Sequence, residues 1–103
     1  SARADIDNRS REQLREVASL LAECPGVRLA VTGHTDSSGN AARNRQLSGY
    51  RADAVRAFLI SVGAPAERIS ARGVGSSEPI VSNATPAGRE QNRRIEIDII
   101  RQQ

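Results

Sequence analysis

The fold of this 103-residue chain is decided by VRLAVTGHTDSSGNAARNRQLSGYRADAV, residues 27–55. Residues 27–32 alternate apolar and polar side chains, as a half-buried strand does. A polar loop that contains glycine follows over residues 33–40. From Ala41 to about Val62 the pattern is helical, and Gly63 suits the left-handed position after a helix. The stretch therefore predicts a strand, a connecting loop and a long helix.

The flanking segments predict one helix before this stretch and two strands after it. Asp7–Glu23 has apolar residues at helical spacing, Ile69–Gly75 forms a second strand, and residues 95–100 alternate strongly. A single helical turn is predicted over Ala87–Asn92. We expect one domain over residues 1–103, an α/β two-layer sandwich with two main helices on one face of a small mixed β-sheet. The long loop before the last strand leaves its direction open.

The composition excludes several classes of function. Aromatic residues make up 2% of the chain, namely Tyr50 and Phe58, so a base-stacking surface for nucleic acid is not expected. All 15 basic residues are Arg, but the net charge is only +3 and acidic residues are interspersed. No apolar stretch is long enough to span a membrane, and no basic segment followed by an apolar run opens the chain, so a secretory signal is absent or already removed. The single cysteine, Cys24, cannot form an internal disulfide.

Arg51 interrupts the apolar side of the predicted helix Ala41–Val62. Steps of three and four residues place Asn44, Leu47 and Arg51 on one face, which continues through Val55 into the core. A buried guanidinium needs a counter-charge or an open pocket. Two interpretations stay open: an internal ion pair that fixes the helix on the sheet, or a cation that binds a ligand.

Asp36 lies just past the end of a predicted strand, where α/β folds place their ligand crevices. Its loop leads into the N-terminus of the helix, whose free N–H groups attract anions. If Asp36 and Arg51 face one crevice, their natural complement is a zwitterion. Its carboxylate would accept two parallel hydrogen bonds from the Arg51 guanidinium, and its ammonium would bind Asp36. Alternatively, the two charges simply neutralise each other.

Catalysis is not predicted. His34 and Asp36 could suggest a metal site or an acid–base pair, but the chain has one histidine and no cysteine cluster to complete a metal site. Ser37 and Ser38 lack the strand–turn–helix setting of a nucleophilic serine. We therefore expect no enzyme, no catalytic residue, no metal and no cofactor.

Three motifs carry a family resemblance. They are GHTDSSG at residues 33–39, NRQLSGYRADAV at residues 44–55 and NRRIEI at residues 92–97. At these residues the chain resembles the OmpA-like C-terminal domain, also called the OmpA/MotB or Pal-type peptidoglycan-binding domain. The resemblance covers about Asp7–Ile99, and the combined spacings are specific although no single motif is.

The resemblance implies noncovalent binding of the peptide stem of peptidoglycan at its meso-diaminopimelate residue, whose free end is a zwitterion. In the family an Asp and an Arg hold that end, and they correspond to Asp36 and Arg51. Thr35, Asn44 and Leu47 match positions that line the family's pocket. Arg94, in the matching segment Asn92–Arg94, is a further candidate for ligand binding. The implied setting is the periplasm of a Gram-negative envelope, where the domain anchors an outer-membrane or membrane-tethered protein to the cell wall.

The chain departs from the family pattern at its start. The family's first strand is missing or truncated, and Ser1–Ile6 would be a remnant of the segment that precedes the first helix. The free sheet edge that this leaves could pair with a second copy as a homodimer. The alternative function is therefore a protein interaction or oligomerisation module in which Asp36 and Arg51 form an internal ion pair.

Overall fold

The computed structural model describes residues 8–101. The predicted remnant Ser1–Ile6 and the predicted helix start at Asp7 lie outside the described residues. Along the chain the elements are helix α1 (Asn8–Glu23), strand β1 (Val27–Gly33), helix α2 (Ala41–Ser61), a 3-10 turn (Ala66–Arg68), strand β2 (Ile69–Gly73), helix α3 (Pro86–Asn92) and strand β3 (Ile95–Arg101). No helix in this part of the chain is long and apolar enough to cross a bilayer.

Within the described residues the strands form a mixed sheet of three in the order β2-β1-β3. Strand β1 runs parallel to β2, with Gly33 opposite Gly73, and antiparallel to β3, with Val31 opposite Ile97. The antiparallel pairing settles the direction that the sequence left open. The predicted α/β sandwich with helices against a small mixed sheet is confirmed.

The core lies between the sheet and the two long helices. The predicted stripe of α1 is buried through Leu14, Ala18 and Leu21, and α2 contributes Val55 and Leu59. Strand β1 supplies its odd-numbered residues to the same core, as the period of two requires. The buried apolar side chains are Leu14, Ala18, Leu21, Leu29, Val31, Ala52, Val55, Leu59, Ala64 and Ile69.

Helix α2 is rotated relative to the sequence prediction. The buried line in its N-terminal half runs through Asn44, Ser48 and Ala52, whereas Leu47 and Arg51 are half-buried at its flank. The prediction that Arg51 lies on the inward-facing line was therefore wrong. Small side chains face the sheet because the helix approaches the strands too closely there for a leucine or an arginine to fit.

This close approach depends on two paired glycines. A Cβ atom added at Gly33 would lie under 3.0 Å from the Ser48 carbonyl, and one at Gly73 would lie under 3.0 Å from the Gly49 backbone. Ser48 completes the contact, because its hydroxyl accepts from Gly75 N at 2.9 Å and donates to Arg45 O at 2.8 Å. The sheet thus fixes the part of α2 that follows the loop 33–40.

The end of β1 is pinned on both sides. His34 N donates to Arg94 O at 2.9 Å, and Thr35 N donates to Gly75 O at 2.9 Å.

The His34 ring is buried, and its Nε2 lies 3.5 Å from a Glu96 oxygen without forming a hydrogen bond. Burial first, and then the Arg94 charge, lowers the pKa of His34, while Glu96 opposes them. The ring is therefore held neutral beside the loop.

We expect Gly33→Ala to destabilise the fold by about 3 kcal/mol, the upper part of the range for overpacking, because the clash is with backbone that cannot rotate away. Gly49→Ala is the matched control: its added Cβ would have no neighbour closer than Gly73 N at 4.0 Å. It should stabilise α2 by up to about 1 kcal/mol through helix propensity. Urea unfolding measures both changes, and equal stability of Gly33→Ala and the wild type would contradict the close approach.

We expect the free energy of unfolding to fall as the pH drops below 6.5, the ordinary pKa of histidine. The unfolded chain takes up a proton that the buried His34 resists, so acid favours unfolding, by at most about 1.4 kcal/mol per pH unit for one group. Urea unfolding between pH 7.5 and 5.5 should show this slope in the wild type and a flatter one in His34→Gln. Identical slopes would mean that His34 does not titrate differently in the two states.

Candidate functional site

The loop between β1 and α2 holds Asp36 in a fixed, buried position. Its Oδ1 accepts from Ser38 N at 2.8 Å, and the Thr35 hydroxyl donates to Asp36 O at 2.9 Å. The amide of Asn44 reaches back from α2 and donates to Ser38 O at 2.8 Å and to Asp36 O at 3.4 Å. Thr35 and Asn44, both predicted as site residues, therefore lie at the site and brace the loop that carries the carboxylate.

Helix α2 begins directly after this loop. Asn40 is its N-cap, with a side chain that accepts from Arg43 N. This cap satisfies one of the free N–H groups of the first turn. The remaining positive end of the helix dipole lies beside the loop and favours negative charge there. The predicted helix start at Ala41 is confirmed.

Asp36 forms its ion pair with Arg93, a residue that was not among the predicted site residues. Arg93 Nη1 donates to Asp36 Oδ2, with 39% of the Arg93 side chain and 11% of the Asp36 side chain exposed. Arg93 directly follows α3. This helix starts at Pro86, one residue before the predicted turn, and the Thr85 hydroxyl caps its N-terminus. An internal ion pair at Asp36 is thus present, but its cation is not Arg51.

The predicted residue Arg94 points elsewhere. Its guanidinium donates to Glu96 Oε2 at 2.6 Å, to Asn92 O at 3.2 Å and to Glu78 O at 3.0 Å. Consecutive residues entering a strand point to opposite faces. Ile95 and Ile97 face the helices, so Arg93 lies on the helix side and Arg94 on the other. This alternation was visible in the sequence and would have selected Arg93.

Arg51 is half-buried on the side of α2 that faces this ion pair. Within residues 8–101 it has no ion pair and no hydrogen bond from its guanidinium. Burial first, and then the Arg93 charge, lowers the pKa of Arg51, while Asp36 raises it. The guanidinium stays charged, since an arginine does not lose its proton in a protein. The predicted pair of Asp36 with Arg51 is therefore absent, although the two groups feel each other's charge.

The carboxylate of Asp36 is ionised at neutral pH. Burial alone would raise the pKa of Asp36, but hydrogen bonds from Ser38 and Arg93 outweigh it and lower that pKa. Leu47, the last predicted site residue, is half-buried one helical turn before Arg51 on the same side of α2. Its side chain gives the site an apolar flank beside the charges.

The arrangement suits an ionic ligand. One anion and two cations, Asp36 with Arg51 and Arg93, share a site whose loop is fixed by backbone hydrogen bonds. The guanidinium of Arg51 can bind a carboxylate with two parallel hydrogen bonds, and Asp36 can accept from an ammonium. No group of three or more His, Cys, Asp or Glu residues that could hold a metal ion occurs in the described part of the chain.

Comparison with known proteins identifies relatives by sequence. The chain is 44% identical over 86 residues to the peptidoglycan-binding protein ArfA of Mycobacterium tuberculosis H37Rv, covering 84% of this chain and 26% of ArfA. It is 41% identical over 99 residues to the probable lipoprotein YiaD of Escherichia coli K12, covering 96% of this chain and 45% of YiaD. The chain thus spans less than half the length of these relatives.

The structural comparison agrees with the sequence matches. The crystal structure of the peptidoglycan-associated lipoprotein from Burkholderia pseudomallei superposes with a TM-score of 0.91 at 26% identity, covering 95% of this chain and 83% of that one. The model of the OmpA family matches residues 1–93. The resemblance seen in the sequence motifs is confirmed, and the chain belongs to the OmpA family.

Proposed function

We propose that this domain binds peptidoglycan without forming or breaking a covalent bond, and so anchors an envelope protein to the cell wall. The observation that carries the proposal is the half-buried Arg51, which has no partner within residues 8–101, beside the ionised Asp36. Membership of the OmpA family supports it, since relatives are described as a peptidoglycan-binding protein and a peptidoglycan-associated lipoprotein. The domain acts as a binding module and not as an enzyme.

The ligand we propose is the meso-diaminopimelate residue of the peptide stem. Its free end carries a carboxylate and an ammonium on one carbon. The carboxylate binds Arg51, the ammonium binds Asp36, and the aliphatic chain lies along Leu47. Thr35 and Asn44 act by holding the loop. Arg93 replaces Arg94 as the further charged residue at the site.

The proposed location is the periplasmic side of the envelope. The relatives include outer-membrane porin F of Pseudomonas fluorescens and the outer-membrane lipoprotein YfiB of Pseudomonas aeruginosa. A domain with this site acts there as the wall-binding part of a larger membrane-tethered protein. The homodimer remains a prediction; Leu20 of α1 and Ile99 of β3, which are exposed and line one apolar pocket, favour it.

We expect Arg51→Gln to weaken binding by roughly 2–5 kcal/mol, about 30-fold or more in Kd, because it removes the charge that has no partner among the described residues. Asp36→Asn should weaken binding by a smaller amount, because Arg93 already compensates the Asp36 carboxylate. Arg28→Gln, which removes an exposed arginine on β1, is the matched control and should bind like the wild type. Co-sedimentation with purified peptidoglycan sacculi measures binding, and circular dichroism checks the fold. Undiminished binding by both folded site variants would overturn the proposal.

A further inference from the structure

We propose that the site selects for a free carboxylate before it selects for an ammonium, and that it discriminates against peptide stems whose diaminopimelate carboxyl has been converted to a carboxamide. This inference rests on the proposed function and names the form of the ligand. It depends on which charges of the site are already compensated within the protein.

The aspartate is compensated before any ligand arrives. Asp36 Oδ2 is in an ion pair with Arg93, and Asp36 Oδ1 accepts from Ser38 N at 2.8 Å. A ligand ammonium would therefore be a third donor to the Asp36 carboxylate, whose charge Arg93 already compensates. A carboxylate has room for a further hydrogen bond, but the gain is smaller than for an unpaired charge.

The opposite holds for Arg51. Its guanidinium is half-buried, and within the described residues no acceptor bonds to it. The neighbouring Asp36 is already paired with Arg93, so the three side chains together carry one uncompensated positive charge. A carboxylate compensates this charge and accepts two parallel hydrogen bonds from the guanidinium.

A carboxamide cannot replace the carboxylate at this position. It carries no charge, and it offers one carbonyl oxygen beside an NH₂ group that donates hydrogen bonds. The NH₂ would face an N–H of Arg51, so one of the two hydrogen bonds is lost and two donors are forced together. Arg51 would then be desolvated by the ligand without gaining a counter-charge, which is the costly arrangement.

Four tripeptides of the form L-Ala-γ-D-Glu-X separate these contributions. When X is meso-diaminopimelate, the free end of its side chain carries both the carboxylate and the ammonium. When X is the carboxamide of that residue, the ammonium is the only charged group at this end. Aminopimelate keeps the carboxylate and lacks the ammonium, while lysine keeps the ammonium and lacks the carboxylate. Isothermal titration of the wild-type domain with each of them measures Kd.

We expect the carboxamide and lysine forms to bind roughly 10- to 100-fold more weakly than the diaminopimelate form, the loss typical of a charge-assisted hydrogen bond. The aminopimelate form should lose less than about tenfold, because Arg93 already compensates Asp36. In Arg51→Gln the difference between diaminopimelate and its carboxamide should disappear. In Arg93→Gln the penalty for aminopimelate should increase, since Asp36 would then depend on the ammonium.

The outcomes separate this inference from the function on which it rests. Equal affinity for the diaminopimelate and carboxamide forms, or a larger loss for aminopimelate than for the carboxamide, overturns the selection while the proposed function stands. Failure of every tripeptide to bind overturns both. Because the four ligands are compared on the wild type, the result does not depend on whether a variant folds, and Arg28→Gln should keep the wild-type order of affinities.

Discussion

Helix α2 can rest on the sheet only because β1 and β2 carry no side chain at Gly33 and Gly73. A methyl group at either position would enter the backbone at Ser48 and Gly49. This contact sets the height and rotation of α2 and so decides which residues flank its buried line. The loop that precedes α2 is fixed by the same geometry, since Asn44 on that buried line bonds back to it. The position of Arg51 relative to Asp36 therefore follows from a steric constraint in the sheet.

The sequence was sufficient for the fold and for most of the site's parts. Alternation in β1 and β3 and helical spacing in α1 reflect burial of large apolar side chains, which is the strongest signal in a sequence. The rotation of α2 was not predictable in that way, because its contact with the sheet is made by Ser48 and Ala52 and a hydrophobicity pattern gives small residues little weight. The ion pair of Asp36 with Arg93 joins residues 57 positions apart, so local spacing could not predict it, although the alternation of β3 places Arg93 and not Arg94 on the helix side.

The site combines an anion, Asp36, that is already paired within the protein with a cation, Arg51, that has no partner in the described part of the chain. Holding Asp36 against Arg93 keeps a buried carboxylate ionised and oriented without a ligand. In the proposed function Arg51 is the group whose charge the ligand compensates, and burial makes that contact less exposed to competing water and salt. A module of this kind can hold a polymer reversibly, because charge complementarity supplies specificity while no bond is made. This matches what an anchor between a membrane-tethered protein and a cell wall requires.

The most direct test of the account is an NMR titration of the ¹⁵N-labelled domain with the diaminopimelate tripeptide, in which the arginine Nε–Hε signals are followed and that of Arg51 is assigned through Arg51→Lys. We expect the largest change at Arg51 Nε, with smaller changes at Arg93 and in the backbone of residues 35–39. Saturable changes confined to the edge formed by α1 and β3, with Arg51 and the loop unaffected, would contradict the account.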